Sequence, residues 1–129
     1  MSEKIETYIV KPKPLGDLPH HEMDKIKKAM QAFIYLNDSL VAGSDLVIHI
    51  GEIHQLTAPI QPYVDQHKHD VSSAYALIGD LTLEVIIEGE KREVAGPAGV
   101  FIPAGKMHSV RPLRGTGYFI VIQRSGKFE

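Results

Sequence analysis

The residues best equipped for chemistry are histidines, seven in a chain of 129 residues. Two of them stand one residue apart, in His67-Lys68-His69. In an extended strand the side chains at i and i+2 leave the same face, so both imidazoles project together while Lys68 points away. A third, His108, ends the segment Pro103-Ala104-Gly105-Lys106-Met107-His108. Proline and glycine set a chain reversal there, which lets a distant strand return His108 to the first pair. Imidazole nitrogen suits divalent transition ions, and three protein ligands leave positions open for water or substrate. The expectation is one such ion, iron, zinc, nickel or manganese, on His67, His69 and His108. No cysteine is present, so disulfides and thiolate ligands are excluded and the ion must sit on nitrogen and oxygen.

The elements that must position these residues are read from composition and pattern. A hydrophobic fraction of 43% supports a real core, and the length suits one domain. Basic and acidic residues number 14 and 16, a balance that argues against a nucleic-acid partner. No apolar run approaches the roughly 20 residues of a membrane span, and Glu3, Lys4 and Glu6 make the N-terminus unlike a secretory signal. A soluble cytoplasmic protein with no membrane and no nucleic acid among its partners is expected.

Lys11 to Pro19 carries three prolines and a glycine and reads as an extended arm. Met23, Ile26, Met30, Phe33 and Ile34 recur at helical spacing, which predicts an amphipathic helix from about Glu22 to Tyr35. Residues 1–42 would thus be an arm and helix packed on a barrel formed by 43–129. From Gly43 onward strands follow in series: Leu46 to Leu56, Val64 to Lys68, Ala74 to Ile78, Leu81 to Ile87, Val100 to Ile102, and the last around Val110 and over Tyr118 to Ile122. Glu88-Gly89-Glu90 reads as a hairpin turn, and Gly96 to Gly99 as another. Many short strands between Gly and Pro turns predict an all-β barrel or double sheet.

With these residues in view, the chain resembles the cupin superfamily. His67, His69 and Gly79 resemble its first motif, which is one residue short before Gly79, and Pro103, Gly105 and His108 match its second in register, a likeness spanning Gln61 to Ile122. The resemblance implies a jelly-roll barrel, also called a double-stranded β-helix, with metal ligands at His67, His69 and His108. It also implies a homodimer. The departures are informative. Ser73 stands where the family's metal-binding glutamate falls, Gln61 and Pro97 replace motif glycines, and Pro112 replaces an asparagine. A neutral three-histidine set follows, as in cupins that resemble thiol dioxygenases and a diketone-cleaving dioxygenase.

Strand parity suggests further site residues. Tyr63 and Asp65 share the face of His67 if the chain stays extended, where Asp65 could orient a ligand or meet substrate. Ser73 would meet substrate beside them. Tyr75 and Leu77 keep the parity of Ser73, and a Tyr75 hydroxyl near the ion could donate a proton or a hydrogen bond. His49 and His54 face opposite sides of their strand unless Gly51 carries a bulge, which would bring His54 in as fourth ligand or acid/base. Arg111 could bind an anion at the barrel mouth. A metal-dependent oxygenase acting on a small organic molecule is the leading expectation. The alternatives are a Lewis-acid isomerase or lyase at the same site, a non-catalytic ligand- or metal-binding module, and a structural dimer with an inert site.

Overall fold

The computed structural model describes residues 4–15, 30–58 and 66–125. A short 3₁₀ turn at Ile5–Tyr8 precedes seven strands: β1 (Lys13–Pro14), β2 (Met30–Leu36), β3 (Val47–Leu56), β4 (Ser73–Ile87), β5 (Glu90–Ala95), β6 (Ala98–Ile102) and β7 (His108–Gln123). They form one antiparallel sheet in the order β1-β2-β3-β7-β4-β5, with β6 also paired to β4. No helix among the described residues is long and apolar enough to cross a membrane.

Two strands run the length of the molecule. β4 pairs with β7 throughout, from Ser73↔Gln123 to Ile87↔His108. The first part of β4 also carries β6, and its second part carries β5. One layer is therefore β3, the end of β7, the start of β4 and β6. The other is the start of β7, the end of β4 and β5. The layers share one core, in which Leu77, Ile102, Phe119 and Val121 of the first meet Leu83, Val85 and Val110 of the second. This is a jelly roll: a double sheet whose long strands pass from one layer into the other.

The passage is made where β4 and β7 cross closest. The sequence pattern predicts breaks at Gly79-Asp80 and at Arg114 to Gly117, yet both strands continue through them. Gly115 has a φ of 111°, and a Cβ there would be driven into the Asp80 carbonyl oxygen. The glycines do not end the strands. They let two backbones press together at the corner.

Residues 30–36 are β2, which corrects the helix expected up to Tyr35; the part of that helix over 22–29 lies outside the described residues. Met30, Phe33 and Ile34 fit a helical period, but the strand period also accounts for them. Met30, Ala32 and Ile34 pair with Ile53, Gly51 and His49 on the inner face. Aromatic and β-branched side chains fit such a half-buried pleat, and β2 satisfies the backbone of β3 that would otherwise lie open at the edge. The sheet thus recruits residues 13–14 and 30–36, before position 43.

Candidate metal centre

His67 and His108 face each other across an antiparallel bridge, with His67 N–H donating to His108 O at 3.0 Å and the reverse bond at 2.8 Å. The Pro103–Met107 loop is tied to the same place. Gly105 N–H donates to the carbonyl of His69 at 2.7 Å, and Glu88 N–H to that of Met107 at 2.8 Å. The turn is tightened by Lys106 N–H on Pro103 O at 3.3 Å, with Gly105 at a φ of 83°. Proline and glycine therefore do more than reverse the chain. They deliver His108 beside His67 and clamp the backbone of His69.

The three imidazoles converge. Ring centroids are 4.6 Å apart for His67 and His69, 4.7 Å for His67 and His108, and 5.1 Å for His69 and His108. One ligand atom from each lies within 4.8 Å of the others, and all three residues are buried. Among the described residues no carboxylate joins the group.

The donor set fits a divalent ion. Nε2 of His67 and Nε2 of His69 stand 3.1 Å apart. Two lone pairs at that distance repel unless a proton or a cation lies between them, and two bonds of about 2.0–2.1 Å to a single ion span it. His108 is prepared for the same role. Its Nδ1 lies 2.9 Å from the Lys106 carbonyl, which can only accept, so Nδ1 carries the proton and Nε2 presents the lone pair.

The remaining expected site residues divide. Ser73 is buried on the inner face, and its hydroxyl oxygen accepts from Nε2 of Gln123 at 3.4 Å. Gln123 is fully buried and its Oε1 accepts from the Ser125 hydroxyl at 2.9 Å. The place of a glutamate is thus held by a neutral polar chain, and nothing local in the sequence marks Gln123 as its member. Tyr75 sits one inner-face row along, paired with Val121 and Val100. Burial pushes its hydroxyl to about 12, so near neutral pH it stays protonated and acts as a donor. Tyr63 and Asp65 lie outside the described residues.

Two expectations are corrected. Arg111 does not reach the barrel mouth. It lies on the outer face of β7 opposite Glu84, with Nε 3.0 Å from Oε1, because its neighbours in the strand, Val110 and Pro112, take the inner positions. His54 does not turn inward, since Gly51 carries no bulge. Gly51 pairs regularly with Ala32 and Phe119 and leaves room for the Phe119 ring, which a Cβ would approach to 2.6 Å. The irregularity falls later, between Ile53 and Leu56, where Gln55 has a φ of 51° and His54 is exposed. His49 is the inward histidine of this strand, buried in the row of Val121 and Tyr75.

No protein-family sequence model matches the chain, and no curated protein matches it in sequence. Solved structures match by shape. The RmlC-like cupin from Shewanella frigidimarina NCIMB 400 aligns with a TM-score of 0.54 at 12% identity, over 93% of this chain and 86% of its own. The chain has the cupin fold. KdgF from Halomonas sp. shares this cupin architecture with a TM-score of 0.57 at 16% identity, over 88% of this chain and 97% of its own. Bacillus subtilis oxalate decarboxylase, in a deletion mutant, aligns with a TM-score of 0.59 at 17% identity over 78% of this chain. The chain spans 27% of that larger protein. At such identities the likeness is one of fold, and the site must be read from its own residues.

Proposed function

We propose that this cupin is a metal-dependent enzyme acting on a small organic substrate at a three-histidine centre, with oxygenase chemistry of the dioxygenase kind. The observation that carries the reading is the convergence of three buried imidazoles, one of them held in its ligating tautomer by a backbone carbonyl. A bound ion would supply a Lewis-acidic or redox-active centre. His67, His69 and His108 hold it, the Lys106 carbonyl orients His108, and the apolar inner rows around Val85, Val110 and Val121 exclude water. Tyr75 offers a protonated phenol from the facing layer. Bacillus subtilis oxalate decarboxylase, which shares the fold with a TM-score of 0.56 at 16% identity, has Mn(II) centres, which supports metal chemistry in this barrel. Ser73 in place of a glutamate supports the oxygenase form, because three neutral ligands leave the ion's charge for an anion to balance.

The test is the metal content of protein purified without added metal, compared with His108→Ala. Near-stoichiometric iron in the wild type, lost in the variant, with oxygen consumption in a substrate screen, is the expected result. Zinc or nickel instead would move the reading to a Lewis-acid isomerase or lyase at the same ligands. Absence of metal under every loading condition would leave a binding module and overturn the enzyme.

The reading includes a homodimer, and a difference between the two outer faces supports it. Outside β4, β5 and the start of β7, charged pairs cover the surface: Arg111 with Glu84 and Arg114 with Glu93. Outside β3, β6, the end of β7 and the start of β4, the cross-strand rows are Ile48–Ile122–Ala74–Phe101 and Tyr118–Ile78. Phe101, Ile78, Tyr118 and Ile122 are 62%, 50%, 46% and 39% exposed there. An apolar face of this kind marks an interaction surface, and a second copy of the same sheet would cover it by two-fold packing. Light scattering is expected to give a dimer for the wild type and a monomer for Phe101→Asp/Ile78→Asp. A monomeric wild type would remove the dimer.

A further inference from the structure

We infer that the cavity beside His108 is built for a small organic monocarboxylate with an apolar body, its carboxylate held by Arg92. This rests on the reading of the barrel interior as a small-molecule site, and it names the ligand class.

The cavity has a volume of about 580 Å³, with Val85, Ile87, Val94 and Val100 among its walls. Its place relative to the histidines follows from register. Ile87 pairs with His108 on one side and Glu90 on the other, and Val85 pairs with Val110 and Arg92. The inner face of this layer therefore runs His108–Ile87–Glu90 in one row and Val110–Val85–Arg92 in the next. With strands about 4.8 Å apart, β5 lies roughly 10 Å from the strand carrying His108. An arginine side chain covers part of that span, and a molecule of a few carbons covers the rest.

Arg92 is equipped for an anion. Arg111 and Arg114, on the outer face, are each matched to a glutamate. Arg92 faces the cavity, and among the described residues its one side-chain hydrogen bond runs from Nη1 to the Lys91 carbonyl at 2.8 Å. Among the described residues no carboxylate lies within ion-pair distance of it. The other guanidinium N–H groups keep the planar fork that grips a carboxylate by two parallel bonds.

The same rim limits the ligand's charge. Glu88, Glu90 and Lys106 also line the cavity; Lys106 is matched to Glu88 at 3.8 Å, and among the described residues Glu90 has no ion pair. One carboxylate finds Arg92; a second would face Glu90. The apolar walls take the body of the molecule, so the fit is to a monoanion rather than to a dicarboxylate or a phosphate.

Calorimetric titration of the purified chain, both chelator-treated and metal-loaded, tests this with the straight-chain acids from propanoate to hexanoate, with butyramide and with succinate. Saturable binding of at least one acid is expected, about tenfold or more tighter than butyramide or succinate. Arg92→Gln should weaken the acid about 10- to 100-fold, the size of a lost charge-assisted bond, and leave butyramide binding, metal content and thermal midpoint unchanged. Glu90→Gln should bring succinate close to butyrate. No saturable binding of any acid, or binding unchanged in Arg92→Gln, overturns the inference. Binding lost in His108→Ala but kept in Arg92→Gln assigns the carboxylate to the metal instead. Arg92-dependent binding in a protein that takes up no metal would sustain the inference while removing the metal centre.

Discussion

Nickel or zinc added to chelator-treated protein is expected to raise its thermal midpoint by about 10 °C or more, and His69→Ala is expected to lose most of that rise. A ligand that binds only the folded state stabilises it by RT ln(1 + [L]/Kd), about 4 kcal/mol at a thousandfold excess over Kd. For a domain of this size each kcal/mol moves the midpoint by about 3–5 °C. The site is ready to bind tightly because its order is already present. His67 and His108 are fixed by a reciprocal backbone pair, and the carbonyl of His69 is held by Gly105. Removing His69, a buried side chain in contact with His67, also leaves a cavity, so the metal-free variant is expected to start from a lower midpoint. The comparison is therefore of the rise that metal adds to each protein.

The pH dependence of that rise has a definite sign. Imidazole must be neutral to ligate, so the metal-free protein binds more protons than the loaded one. The increment should therefore shrink as pH falls and grow towards alkaline pH. Midpoints measured with metal and with chelator at several pH values check it. An equal increment in His69→Ala would put the ion elsewhere.

The three-histidine cluster was legible because it depends on two short-range rules. Period-two parity puts His67 and His69 on one face, and the Pro103–Gly105 reversal is local backbone chemistry. What escaped the sequence depends on register between distant strands. His49 and His54 were separable only by the position of a bulge, and the glycine at 51 pointed to the wrong residue. It makes room for the Phe119 ring, while the irregularity sits at Gln55. Arg111 and Arg92 show the same limit. Both are arginines on strands near the mouth, but pairing turns Arg111 out to Glu84 and Arg92 in beside Val85. The segment from Met30 to Leu36 failed for another reason: its apolar residues satisfy both periods, and the open edge of β3 decides between them.

The fold itself is most exposed at its corner, and Gly115→Ala is expected to destabilise the protein by more than 4 kcal/mol or prevent folding. Two costs add there. A side chain at a φ of 111° is strained, which costs on the order of 1–3 kcal/mol. The new Cβ would also meet backbone on the facing strand, the Asp80 carbonyl oxygen and, at 3.0 Å, the Leu81 Cα. Backbone cannot rotate away as a side chain can, so β4 and β7 would have to separate at the one point where both change layers. Gly89→Ala isolates the first cost. Gly89 has a φ of 81° at the β4–β5 turn with nothing within 4 Å of a Cβ, and about 1 kcal/mol is expected. Because β7 carries His108 at its start, opening the corner should also loosen the histidine cluster, and metal binding should fall with stability in Gly115→Ala but not in Gly89→Ala. Urea unfolding of both variants, with and without metal, separates these effects. Equal losses in the two would mean that β4 and β7 are not pressed together at the corner.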